Sequence, residues 1–290
     1  MGKLIRCITT DGLVMATAVD TTDIVGRAEQ IHGTSAVVTA ALGRLLTAGS
    51  MMGNMLKSKD NSITLRLAGG GPAGNIIVVS DWQGDVRGYV GNPVVEIPLN
   101  PKGKLDVAGA VGKTGNLYVT KDLGLKEPYN GCIPLVSGEI AEDITAYYAI
   151  SEQIPTVCAL GVLVNPDLTV KVAGGYIIQL LPAAGEDTIE LIEKGMKNMP
   201  SVTALLNSGE TPLSIIKKAL SEFEVEVLYE QDIFYRCNCS KERIETALIT
   251  LGKEELCKMA DEMETVEVKC HFCDKVYNFS PNEVRNLSKN

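Results

Sequence analysis

"TVCALGVLVNPDLTVKVAGGYIIQLLP" (residues 156–182) decides how the chain is read, because two apolar, β-rich runs meet at Asn165-Pro166-Asp167. Runs of that kind joined by a turn read as an antiparallel hairpin. Beyond Pro182 the texture changes: "EDTIELIEKGMKNMP", "SVTALLNSG" and "TPLSIIKKALSEF" are short helical patterns, each with a narrow apolar stripe, punctuated by Gly195, Pro200, Gly209 and Pro212. Isolated helices shorter than about 12–15 residues are marginal in water, so this segment must lean on something else to persist.

Upstream, "LIRCITTDGLVMATAVD" is a second hairpin, turning at Asp11-Gly12. A helix capped at Thr22 or Asp23 and stopped by Gly33 follows, then a longer one between Ser35 and Lys59. "SITLRLAG", "NIIVVSD" and "VRGYV" read as strands, as do "NLYVTKD" and "CIPLVSG" after a short helical piece at 105–111, and "EIAEDITAYYAISEQI" reads as an amphipathic helix. The expectation is an α+β fold in three parts: a mostly antiparallel sheet domain with helices over 1–182, a metastable helical linker over 183–231, and a small C-terminal domain over 232–290.

The 290 residues are 45% hydrophobic and 22% charged, the balance of an ordinary globular chain, with a net charge of -9 that argues against nucleic acid or an anionic membrane as partner. "MGKLIRCITT" lacks a secretory pattern, and Arg6 stands where myristoylation needs Ser or Thr. The most apolar stretch, residues 37–56, carries Arg44, Asn54 and three glycines, which reads as a buried helix rather than a membrane span. A cytoplasmic protein is expected.

Eight cysteines in such a chain point to thiols, not a disulfide scaffold. Cys7, Cys132, Cys158 and Cys257 stand alone and read as small core residues. The other four cluster: Cys237 and Cys239 in "FYRCNCSKER", then Cys270 and Cys273 in "VKCHFCDK". A C-x-C and a C-x-x-C about thirty residues apart suit one tetrahedral zinc ion held by four thiolates. On spacing alone this is a structural zinc knot or a sensor, with an iron-sulfur centre as a lesser alternative. His271 reads as a packing or solvated residue rather than a ligand. The terminal region has little apolar material of its own, so metal binding and folding are expected to be one equilibrium. Oxidation of the sulfurs to disulfides would then remove metal and order together.

Elsewhere the chemistry is thin. Gly69, Gly71 and Gly74 in "LAGGGPAGN" satisfy G-x-G-x-x-G, but the next element is a strand, not the helix that a phosphate site requires, and Pro72 removes an amide. A tight turn is expected. The carboxylates of "GEIAED" sit where a helix start favours acid, and with only His32 and His271 available no catalytic residue is assigned.

"CNCSKER" with "CHFC", "AGGYIIQLLP", "SEQIP", "LAGGGPAG" and "VTKDLGLKEPY" together resemble the heat-shock protein 33 family of bacterial redox-regulated holdase chaperones, over nearly the whole chain. The resemblance implies a non-enzymatic, ATP-independent holdase with one zinc ion per chain on Cys237, Cys239, Cys270 and Cys273, inactive while reduced. It further implies that oxidation links Cys237 to Cys239 and Cys270 to Cys273, releases zinc, unfolds the C-terminal part and linker, and promotes homodimers that hold unfolding client proteins under oxidative stress. The alternatives are a zinc knuckle without redox switching, a nucleic-acid binder and a dithiol oxidoreductase. Residues 232–290 carry nine Lys and Arg against eleven Asp and Glu, which disfavours phosphate. "CHFC" precedes a β-like run, whereas oxidoreductase pairs sit at a helix start.

Overall fold

Strands β1 (Gly2–Thr9) and β2 (Val14–Asp20) pair around the Asp11-Gly12 turn, and alternation divides their side chains between two apolar layers. Leu4 and Val19 enter one core, while Ile5, Cys7, Val14, Ala16 and Ala18 enter the other. A sheet apolar on both faces needs a cover on each. The structure, a computed structural model, describes residues 1–287 and supplies both covers from helices on either side of the chain's first sheet.

The inner cover is central to the first unit, Met1–Tyr235. After α1 (Thr22–His32) comes α2 (Ala36–Asn54), the one helix among the described residues long and apolar enough to cross a membrane, and it is buried inside the protein instead. Val38, Leu42, Leu45, Leu46 and Met52 are at most 2% exposed, and the lone charge, Arg44, pairs with Glu139 at 2.5 Å. On its other side lies a second antiparallel sheet of β3 (Ser62–Ala68), β4 (Ile76–Asp81), β5 (Val86–Val90), β6 (Asn116–Asp122) and β7 (Tyr129–Pro134), ordered β5-β4-β3-β6-β7, with α3 (Val107–Val111) between β5 and β6 in sequence. Its strands alternate as one-sided sheets should: Ile63, Leu65, Leu67, Leu117 and Val119 point inward, and Thr64, Arg66, Tyr118 and Thr120 outward.

The run "CIPLVSG" continues the strand only as far as Pro134. Beyond it the buried Asp143 carboxylate accepts the amides of Val136 (2.7 Å), Ser137 (3.1 Å), Gly138 (3.4 Å) and Ile140 (2.9 Å), which bends the chain into the start of α4 (Ala141–Tyr147). A π-helical turn, Tyr148–Glu152, prolongs that helix.

The hairpin of residues 156–182 forms as β8 (Thr156–Val164) and β9 (Val170–Leu180) and completes a sheet ordered β10-β1-β2-β9-β8. Three short helices, α5 (Glu186–Met196), α6 (Val202–Asn207) and α7 (Pro212–Ala219), cover its outer face. Ile192, Leu205, Leu206, Ile215 and Ile216 pack there with Ile5, Ala16, Tyr176 and Ile178. Ser201 and Thr211 cap α6 and α7 through their side chains. Two glycines permit the close approach: a Cβ at Gly161 would meet Thr203 Cγ2 at 2.7 Å, and one at Gly174 would meet Leu206 Cδ1 at 2.7 Å.

The sheet does not end with the hairpin at 156–182, as the sequence led us to expect. Residues Val225–Ile233 form β10, antiparallel to β1 at the sheet edge. Its one-sided, acid-rich pattern is that of an edge strand, and its partner lies more than 200 residues upstream, so no local signal announces the pairing.

The second unit begins at Arg236. Helices α8 (Lys241–Ile249), α9 (Lys253–Glu262) and α10 (Pro281–Leu287) pack around a hairpin of β11 (Val266–Lys269) and β12 (Val276–Phe279). Its core is small: Leu248, Leu256, Ala260, Val266, Tyr277, Phe279, Val284 and Cys270.

Candidate metal centre

Two local structures present the four clustered sulfurs. Cys270 and Cys273 occupy the turn between β11 and β12, where the Cys270 carbonyl accepts the Asp274 amide at 2.9 Å, the Cys270 amide donates to Lys275 at 2.9 Å, and Asp274 takes a left-handed φ of 61°. That tight turn directs both side chains to one side. Cys237 and Cys239 lie on the extended run before α8, which Ser240 caps by accepting the Arg243 amide at 3.3 Å. One intervening residue in extended backbone returns the second side chain to the same face.

The two pairs meet. All four Sγ atoms lie within 4.8 Å of one another, with Cys237 to Cys270 at 3.7 Å and Cys239 to Cys273 at 3.4 Å. A tetrahedral zinc ion with bonds of about 2.3 Å separates its sulfurs by about 3.8 Å, so side-chain shifts of about an ångström or less bring the cluster onto the ion. No other group of three or more metal-ligating side chains occurs among the described residues. The exposed His271 lies in the turn but outside the cluster.

A donor missed by sequence reading completes the surroundings: the Tyr277 hydroxyl donates to Cys239 Sγ at 3.1 Å. Its place two residues before Phe279, on the inward face of β12, was the available signal. Burial tends to raise the Cys239 thiol, but hydrogen bonds from Tyr277 and the other cysteines outweigh it and bring the group down to about 7. Burial pushes the Cys237 thiol well above its ordinary value and also raises Cys273. In the folded arrangement the cluster therefore has one readily ionised sulfur, Cys239, beside the more reluctant Cys237 and Cys273. Below the site, Lys241 at the start of α8 pairs with Glu283 of α10 at 2.6 Å and lies over the Phe279 ring at 5.1 Å.

The other sequence candidates resolve differently. In the glycine loop the Gly71 and Ala73 amides are spent on Val111 and Ala110 carbonyls at 2.9 and 3.0 Å, and Gly74 donates to Gly71 at 3.0 Å, leaving no amide cradle there for phosphate. Of the solitary cysteines, Cys7 is buried and Cys158 and Cys257 are half-buried. Cys132 departs from expectation: it faces outward on β7 and is exposed, because the second sheet is covered on one face only.

Residues 2–280 match the family model described as Hsp33 protein. A 33 kDa chaperonin of Acetivibrio thermocellus is 49% identical over 286 residues, covering 99% of this chain and 96% of that one. One from Clostridioides difficile is 47% identical over 286 residues, covering 99% and 98%. A crystal structure of the 33 kDa chaperonin, a heat shock protein 33 homologue, from Thermotoga maritima superposes with a TM-score of 0.89 at 40% identity, covering 99% of this chain and 97% of that one.

Proposed function

This chain belongs to the Hsp33 family of chaperones, and we propose that it is a redox-switched, ATP-independent holdase acting in the cytoplasm. The observation that carries the reading is the convergence of Cys237, Cys239, Cys270 and Cys273 on one point in a unit whose own core is small. These four residues would hold one zinc ion. When bound, zinc would keep all four sulfurs ionised at neutral pH and contribute about 10–16 kcal/mol, by analogy with small zinc peptides, to the order of the unit.

In the resting state the cysteines hold the two arms of the second unit together while α5–α7 stay docked on the first sheet. Under oxidative stress each peroxide molecule, with two protons, takes two thiolates to one disulfide and leaves two waters. Pairing of Cys237 with Cys239 and Cys270 with Cys273 closes only short local rings, so the arms are free to separate. Pairing across the site, such as Cys237 with Cys270, would staple them over 33 positions and oppose unfolding. Bridged sulfurs no longer carry the charge that grips a cation, and the unit loses its order.

The helical stretch of residues 183–231, α5–α7, is the segment that responds. Chain continuity couples them to the switch: β10 runs directly from the linker into the C-x-C. Release of α5–α7 would bare both their own stripes and the outer face of the sheet, including Ile5, Ala16, Tyr176 and Ile178. Such a surface binds exposed apolar segments of unfolding proteins, and in the active form it would also support a homodimer.

The test is suppression of aggregation of a heat-denatured client by reduced and peroxide-treated protein. Suppression by the wild type only after oxidation, with that dependence lost in the Cys237→Ser and Cys270→Ser proteins, supports the proposal. Variants that switch like wild type would overturn it.

A further inference from the structure

Resting on the holdase reading, we infer that the outer edge of β8 is a docking groove for a short, extended, apolar client segment flanked by acidic residues. The two edges of the first sheet differ in character. β10 carries Glu226, Glu230 and Asp232, the charges that discourage strand addition, whereas β8, "TVCALGVLV", has none. Among the described residues, the backbone groups of Val157–Val164 make no backbone hydrogen bond except to β9. In an antiparallel pair alternate residues point their amides and carbonyls away from the partner, so β8 offers a vacant half-ladder.

A groove of ≈ 790 Å³ runs along that edge. Five consecutive residues, Leu160 to Val164, line it. Side chains of a strand alternate between faces, so consecutive lining means that the groove follows the strand edge rather than one face. Ala36 and Ala40 of α2 with Leu105 form a wall on one side, and Val202 at the start of α6 forms one on the other. Walls on both sides admit one extended strand, about five residues long at roughly 3.4 Å each, and exclude the broad flank of a second folded copy. The charged residues lining the groove are Arg44 and Lys104, both cationic, in a chain of net charge -9. Arg44 already pairs with Glu139, so the exposed Lys104 sets the rim's preference for acidic flanks. Because α6 supplies one wall, release of the linker widens the groove, and oxidised protein should bind more tightly than reduced.

The test uses the full chain, reduced and peroxide-treated, with fluorescent peptides of alternating Val and Thr flanked by Asp or by Lys, read by anisotropy and by hydrogen exchange. The Asp-flanked peptide is expected to bind at least about tenfold more tightly than the Lys-flanked one, with new protection at residues 160–164. Leu163→Lys, at a position 36% exposed, should weaken binding roughly tenfold, as an edge lysine does, while Leu125→Lys, at 70% exposed between β6 and β7 and outside the groove's lining, should not. Lys104→Glu should reverse the preference between flanks without touching the sheet. Unchanged affinity in Leu163→Lys, protection confined to other segments, or β8 protected by dimerisation without peptide would overturn the inference. Aggregation suppression separates the groove from the holdase. If Leu163→Lys switches on as a full holdase, the groove is refuted and the function stands. Peptide binding at β8 by a protein that never suppresses aggregation leaves the groove standing and refutes the holdase.

Discussion

Replacing Ile216 by alanine should loosen the linker without touching a cysteine. Ile216 is 0% exposed on α7, wedged among residues of β1, β2 and the neighbouring helices. Truncation of a buried isoleucine to alanine costs about 2–5 kcal/mol in lost transfer energy and cavity. The packing removed is that of α7 on the sheet, so the cost falls on the docked linker and not on the detached one. At 1.4 kcal/mol per factor of ten, the open population rises roughly 30- to 4,000-fold. Hydrogen exchange should therefore quicken in residues 186–220 more than in β2 or β9, and the reduced protein should suppress client aggregation in part while keeping its metal. Lys217→Ala, at an exposed neighbouring position, should do neither. Faster exchange of the linker with no gain in client binding would refute the reasoning, as would uniform loss of protection across the whole unit.

Cys270→Ser should leave the protein without stoichiometric zinc and the second unit without its helical and hairpin protection, seen by metal analysis and hydrogen exchange, because removal of one of four ligands opens a closed site. Tyr277→Phe removes the hydroxyl that donates to Cys239 Sγ, so the zinc affinity of the folded protein, read by chelator competition, should fall about 10- to 100-fold. Asp143→Ala strips four amides of their acceptor and should destabilise the first unit by about 3 kcal/mol or more in denaturant titration, with little effect on zinc content.

What the sequence made legible was local chemistry. The Asp11-Gly12 turn, the helices α1 and α8, the latter capped by Ser240, and the Asn165-Pro166-Asp167 hairpin each carry their signal within a few residues, and each forms, although Thr22 and Asp23 lie inside α1 and Thr21 precedes it without a side-chain cap. The apolar run around Arg44 read as a buried helix because a charge and glycines disfavour bilayer, and α2 is buried. The four cysteines announced their grouping by spacing alone. What escaped notice depends on distant partners. β10 takes its identity from β1, the bend after Pro134 from the buried Asp143, and the linker helices from an outer sheet face that is visible only once strand order is known. Cys132 read as core because its strand is apolar in part, yet its face of the second sheet has no cover.

Four sulfurs holding the second unit in order are the centre of the proposed switch. Zinc content and free thiols, counted before and after peroxide on a sample whose exchange over residues 236–287 is followed in parallel, test it most directly. The expected result is one zinc lost, four thiols consumed and protection collapsing together. Sulfurs bridged and metal gone, with that segment as protected as before, would contradict it.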